Sequence, residues 1–349
     1  MIKNGKYYLL SRPRRFGRSL LIDTMKQAFL GNKHLFDGLY LENNWDWDNR
    51  YPVIHVSFVG SSSYLSQRSL MGIIKNTIDE YAKLYSIDID SNQDYGVSFG
   101  DLIRKLHAKY NQKVVILIDE YDKPILDVID KEDELIISQK ILQKFYSHIK
   151  ENDQFLQFVF FAGVSNFSKA ELLDCIDNLN DISLDESYAD ICGYTQSELE
   201  DKFSEYIKDG KVDLVQLERW YGGHNFLGKP FQKVYCPWGI VLFFSRGCTY
   251  GVNCWFESST PSFLIKLMKK KCYDILKMES MVVGPETLAS CDIEDISLTA
   301  LLLQTGYLTI ENKVITGTQD MYVLTHPNLD VKLSFDILAE VGGISESKF

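Results

Sequence analysis

The chain has 349 residues, 48 acidic against 37 basic side chains, a formal net charge of −11, and 45% hydrophobic with 24% charged residues. This is the composition of a folded globular protein of about two domains, and it excludes the chain-wide basic surface that general nucleic-acid binding needs. Seven scattered cysteines without a C-x-x-C pair, and six histidines without an H-x-x-x-H spacing, exclude a disulfide framework and a zinc ligand set and point to reduced thiols.

In chain order, Tyr7–Leu10 reads as a buried strand, and Leu20, Leu21, Met25, Ala28 and Phe29 recur at helical spacing. Between them lie Arg12, Pro13, Arg14, Arg15, Phe16, Gly17, Arg18 and Ser19, a tight loop in the strand–loop–helix context of a phosphate-binding P-loop. Gly17 and Ser19 match G-x-x-x-x-G-K-[ST]; Arg12 and Arg18 depart from it. Loop N–H groups and the helix N-terminus make an anion site, the Ser19 hydroxyl suits Mg²⁺, and Arg18 is a planar fork where the motif has a compact lysine charge. The same residues also fit an ordinary basic loop before a helix.

Phe36–Asn49 reads as a loop, Tyr51–Phe58 as a second strand with His55 in the core, and Ser66–Tyr85 and Val97–Tyr110 as helices. This order sets the strand at 51–58 between the P-loop strand and the next one. Lys113–Asp122 is a continuous apolar run ending in carboxylates, the pattern of a central parallel strand with its ligand end at Asp119 and Glu120. In a Walker B arrangement Asp119 belongs to the Mg²⁺ shell and Glu120 polarises the attacking water; acidic residues also follow strands for solubility alone. Asp133–Lys150 reads as a helix, Gln157–Ser165 as a buried strand, and Asn178–Leu184 as the last strand of the core. Ser165 or Asn166 stands where a sensor residue would contact the γ-phosphate or the water, or is simply a turn residue.

Beyond Gly193 the texture changes. Thr195 and Glu198 form a capping box opening a helix to about Lys208, followed by helices at Leu214–Tyr221, Trp238–Ser245 and Phe263–Lys271. The end reads helix (Ser297–Thr305), strand (Tyr307–Glu311), strand (Met321–Thr325) and helix (Leu329–Val341). The expected fold class is therefore α/β, an additional-strand P-loop core over 1–190, a helical domain over 191–296 and a winged-helix-like unit over 297–349.

The segments Arg12–Gly17, Ile118–Ile125, Ala162–Ser165 with Phe167-Ser-Lys169, and Asn178–Leu184 together resemble the bacterial AAA-ATPase-like family. Trp220-Tyr221, Trp255-Phe-Glu257 and Thr260-Pro261 extend the resemblance over nearly the whole chain. Members normally carry arginine at the position of Arg12, and lysine where this chain has Arg18. Many also have an extra amino-terminal segment and end in a PD-(D/E)xK nuclease-like domain, neither of which is expected in full here.

The resemblance implies ATP and Mg²⁺ as cofactors, bound by Arg12–Leu20, with Ser19 and Asp119 on the metal and Glu120, Arg18, Ser165 and Asn166 in catalysis. Two readings stay open: an ATPase whose hydrolysis is impaired by Arg18, and a non-catalytic nucleotide-dependent interaction module or truncated remnant of an ATPase–nuclease protein. A homo-oligomer or a protein partner is compatible with either, whereas DNA has only the support of the winged-helix-like end. No apolar run nears the roughly 20 residues that span a bilayer, and little chain precedes the loop to hold a signal peptide. The expected location is the cytoplasm.

Overall fold

A computed structural model describes the chain except residues 3, 59–66, 91, 168–171, 209, 211, 228–231, 260–261, 272–280, 290–296, 317–318 and 342–349. The expected helix start at Ser66, the Ser168-Lys169 part of one family motif and the Thr260-Pro261 pair lie outside the described residues. Two compact units are present: Met1–Leu10, Ser19–Gly163 and Ser168–Asp181 form the first, and Ser11–Arg18, Val164–Phe167 and Ile182–Phe349 the second.

The first unit is built on the strands β1 (Tyr7–Ser11), β2 (Val53–Ser57), β3 (Val114–Asp119), β4 (Leu156–Gly163) and β5 (Asn180–Asp181), in the sheet order β2-β3-β4-β1-β5. The pairs β1–β5, β2–β3 and β3–β4 all run parallel. Helices α1 (Arg18–Leu30), α2 (Leu41–Asn44), α3 (Gln67–Leu84), α4 (Tyr95–Tyr110), α5 (Lys123–Leu126) and α6 (Glu132–Glu151) connect them. All six residues of β3 are buried, as a strand covered on both faces requires. Each of its aliphatic side chains contributes about 1.5–3 kcal/mol by leaving water.

One expectation is corrected. The strand that separates β1 from β3 is β4; Val53–Ser57 sits at the sheet edge. Strand burial explains why. Phe158, Val159, Phe160 and Phe161 form an unbroken fully covered run, as an interior strand requires, while His55 and Ser57 of β2 are half-buried. Burial, seconded by the Lys26 charge, holds His55 below its ordinary pKa. The helix expected from Val97 starts at Tyr95, because the Asp94 side chain caps it by accepting from the Gly96 N–H at 3.0 Å.

The second unit carries α7 (Gln196–Lys202), α8 (Ser204–Lys208), α9 (Leu214–Tyr221), α10 (Pro237–Ser245), α11 (Cys254–Ser259) and α12 (Ser262–Lys271). The first five pack around Leu199, Leu217, Tyr221, Tyr235, Ile240, Phe243, Phe244 and Cys254. The Thr195–Glu198 capping box is present with both its bonds. The helix expected to run to Lys208 breaks at Phe203, which leaves helical geometry and lies flat on Phe244, with ring centroids 4.6 Å apart.

A three-stranded antiparallel sheet, order β6-β8-β7, follows from β6 (Met281–Val283), β7 (Thr309–Thr316) and β8 (Gln319–Thr325). With it come α13 (Pro285–Ala289), α14 (Leu298–Gln304) and α15 (Leu329–Val341). The hairpin strands run longer than their apolar residues suggest, and β6 was not expected. No helix among the described residues is long and apolar enough to cross a membrane.

Candidate functional site

In the first unit the apolar run of β3 delivers Asp119 to the carboxyl end of the sheet, in register with Ser57 on one side and Ala162 on the other. Helix α1 opens at Arg18, which makes Ser19 its second residue. The Ser19 hydroxyl donates to Asp119 Oδ2 at 2.6 Å, joining positions 100 residues apart. Asp119 is 2% exposed, and its Oδ1 is buried with no hydrogen-bond partner among the described residues. A hydroxyl and a carboxylate with an uncommitted oxygen are hard donors of the kind Mg²⁺ takes, completed by nucleotide phosphates and waters. Among the described residues no group of three or more His, Cys, Asp or Glu side chains could hold a metal by itself.

Glu120 is half-buried and has φ 51°, a left-handed conformation outside glycine's usual territory. Such a residue costs about 1–3 kcal/mol and persists only where its surroundings hold it. Here the hold is visible: the Tyr121 N–H donates to the Ala162 carbonyl at 3.1 Å and the Lys123 N–H to the Glu120 carbonyl at 3.0 Å. The turn directs the chain sharply away from β3 directly after Asp119.

The loop Ser11–Arg18 belongs with the second unit, and its side chains show how it is held. Arg12, expected among the phosphate ligands, is fully buried. Its Nε donates to the Ile191 carbonyl at 3.1 Å, Nη1 to Ser11 and Ser183 at 2.9 and 2.6 Å, and Nη2 to Tyr188 at 2.8 Å. The guanidinium also lies 4.1 Å over the Phe226 ring. Four of the five donors of an arginine are thus committed to carbonyls. The side chain braces the loop.

Phe16 is buried edge-on against His224 and Phe226, with centroids at 4.9 and 5.6 Å. Pro13 is buried and Arg14 half-buried, while Arg15 and Leu20 are exposed, Arg15 lying 4.9 Å over the Trp238 ring. Gly17 has φ +87°, which glycine reaches without strain. Arg18 is only 6% exposed. It acts with Arg12 on the Cys192 thiol, which burial pushes up to about 11 against the pull of the two positive charges.

Ser165 and Asn166, at the end of β4, are both buried. The Asn166 N–H donates to Gln304 Oε1 at 3.0 Å, and the Ser11 hydroxyl donates to the Val164 carbonyl. Sequence reasoning missed Gln304 and Gly306 and the contacts made by His224 and Phe226, which hold these loops from more than 130 residues downstream. Gly306, just past a helical run, carried the signal of a helix-ending glycine.

His224 is 1% exposed, stacked on Trp255 at 5.3 Å, and burial lowers its pKa to about 3. A folded value below the unfolded one of about 6.5 means the unfolded chain binds the proton first. The stability it contributes is fully present above pH 6.5 and is lost as the pH falls toward 3, at up to about 1.4 kcal/mol per unit. Denaturant unfolding at pH 7.5 and pH 5 should therefore show a steeper loss in wild type than in His224→Phe; equal losses would discard this assignment.

Residues 1–173 match a family described as predicted AAA-ATPase. The chain is also 36% identical over 348 residues to the "Uncharacterized protein in vnfD 5'region" of Azotobacter chroococcum mcd 1; the match takes in 96% of this chain and 63% of that relative's length. A parallel five-stranded sheet, a strand–loop–helix at Arg12–Ser19 and an acidic end of β3 joined to Ser19 accompany that match, and over residues 1–173 the chain is similar to the predicted AAA-ATPase family.

Proposed function

We propose that this chain binds Mg-ATP at the Arg12–Ser19 loop and the Asp119–Glu120 strand end, and hydrolyses it slowly. The observation that carries the reading is the 2.6 Å bond from the Ser19 hydroxyl to the buried Asp119 carboxylate. The loop N–H groups and the N-terminus of α1 would bind the phosphates, and Ser19 and Asp119 would hold Mg²⁺. When bound, the ion would neutralise charge on the phosphate oxygens. Glu120, held in its strained turn, would polarise the attacking water, and Ser165 or Asn166 would contact the γ-phosphate or that water.

Slow turnover follows from Arg18. Phosphoryl transfer depends on positioned charge, and a planar guanidinium differs in length and shape from an ammonium. Its low exposure also favours a second reading, a nucleotide-dependent interaction module without turnover. The sheet order, with β4 between β1 and β3, supports an additional-strand P-loop core. We further read 191–296 as a helical portion and 297–349 as winged-helix-like, structural rather than DNA-binding, in a cytoplasmic protein with reduced thiols that assembles with itself or another protein.

Nucleotide binding and hydrolysis measured side by side test the proposal. Wild type should bind Mg-ATP with slow or absent hydrolysis, Arg18→Lys should raise turnover, and Glu120→Gln in that background should remove turnover while ATP stays bound. Brisk wild-type hydrolysis that survives Glu120→Gln overturns the roles, and absence of binding even with Arg18→Lys overturns the site.

A further inference from the structure

The geometry points to the turn Gln304–Gly306 as a positioning element for two loops at once, the phosphate loop and the loop after β4; this rests on the nucleotide reading above. Gln304 ends α14, and its Oε1 accepts the Asn166 N–H at 3.0 Å. Two residues later, Gly306 has φ +82°, and a Cβ added there would lie 2.7 Å from Pro13 Cγ, 2.9 Å from Pro13 Cβ and 2.9 Å from Trp255 Cη2. Real Cβ atoms do not approach so closely, so glycine is needed here both for its backbone conformation and for the space that Pro13 fills. Pro13 follows Arg12, whose side chain is already locked to three carbonyls downstream. Any substituent on Gly306 therefore pushes on the loop where the loop has least freedom to give.

The turn itself is well held. The Thr305 hydroxyl donates to the Leu301 carbonyl at 2.6 Å, the Leu308 N–H donates to the Leu302 carbonyl at 3.0 Å, and Leu301, Leu302, Thr305 and Tyr307 are all buried. A single turn with little play thus touches position 13 of one loop and position 166 of the other. The two contacts serve different events. The phosphate loop acts whenever nucleotide is bound, whereas Asn166 acts on the γ-phosphate or water during transfer, so the variants should separate: Gly306 through affinity, Gln304 through turnover.

The test uses the full chain in the Arg18→Lys background, with Mg-ATP affinity and turnover read separately and thermal unfolding followed in parallel. Gly306→Ala should weaken Mg-ATP binding about tenfold or more, and Pro13→Ala in the same chain should recover part of it by removing Cγ. Gln304→Leu should lower kcat about tenfold with binding changed less than about twofold, and Gln304→Glu, which keeps an acceptor, should restore most of kcat. If Gly306→Ala does not fold, the Gln304 pair decides by itself. If the parent binds and hydrolyses Mg-ATP yet Gln304→Leu turns over within about twofold of it, the positioning role is wrong while the nucleotide site stands. If the parent binds no nucleotide, both fall together.

Discussion

Asp119→Asn should lose Mg-dependent nucleotide binding by about 100-fold or more while the fold stays as stable as before. The substitution removes the charge that would face the metal but keeps an oxygen able to accept the Ser19 hydroxyl bond, which is 2.6 Å long in the present structure. Asp119 is 2% exposed, and an amide is far cheaper to bury than a carboxylate. A purely structural carboxylate would give a different pattern, with lower stability and no effect that depends on Mg²⁺. Titration with Mg-ATP and with ATP in EDTA, alongside thermal unfolding, separates the cases. Binding of Mg-ATP within about threefold of wild type would falsify the metal role of Asp119.

Arg12→Ala should destabilise the folded chain by about 3–5 kcal/mol, the range seen when a buried, fully bonded charge is deleted from its partners. Four N–H donations at 2.6–3.1 Å and the stack on Phe226 disappear together. The carbonyls of Ser183, Tyr188 and Ile191 would also lose these partners. Arg12→Lys should rescue little, because one ammonium on a flexible stem cannot reproduce a fork that spans four carbonyl contacts. Denaturant unfolding measures both. A loss below about 1 kcal/mol in the alanine variant would count against the bracing role of Arg12.

The sequence alone marks the elements that local chemistry dictates. A five-residue aliphatic run such as Val114–Ile118 has no stable place except between two strands, and Asp119 after it has none except the sheet's end. Thr195 and Glu198 cap one another across a single turn, so their spacing alone predicts the bond that the structure contains. It fell short where an element's place depends on its neighbours across space. Tyr51–Phe58 was recognisable as a strand, but lateral order in a parallel sheet is chosen by which strands must be covered on both sides, and Leu156–Gly163 needs that cover more.

The Arg12–Ser19 loop shows the same division most sharply. Spacing by itself determined that Gly17 lies between a strand and a helix and that Ser19 lies at the helix start, because strand, turn and helix propensities act over a few residues. It also determined that Asp119 ends an apolar strand. The part each loop side chain plays was decided by tertiary contacts alone. An arginine beside a phosphate motif and an arginine that ties down a loop look alike in sequence. Only the carbonyls of Ser183, Tyr188 and Ile191 make Arg12 the second kind. Likewise nothing near Pro13 or Asn166 in the chain names Gly306 or Gln304. A buried group takes its partner from whatever the fold brings within hydrogen-bond or van der Waals distance, and distance in the chain places no bound on that choice.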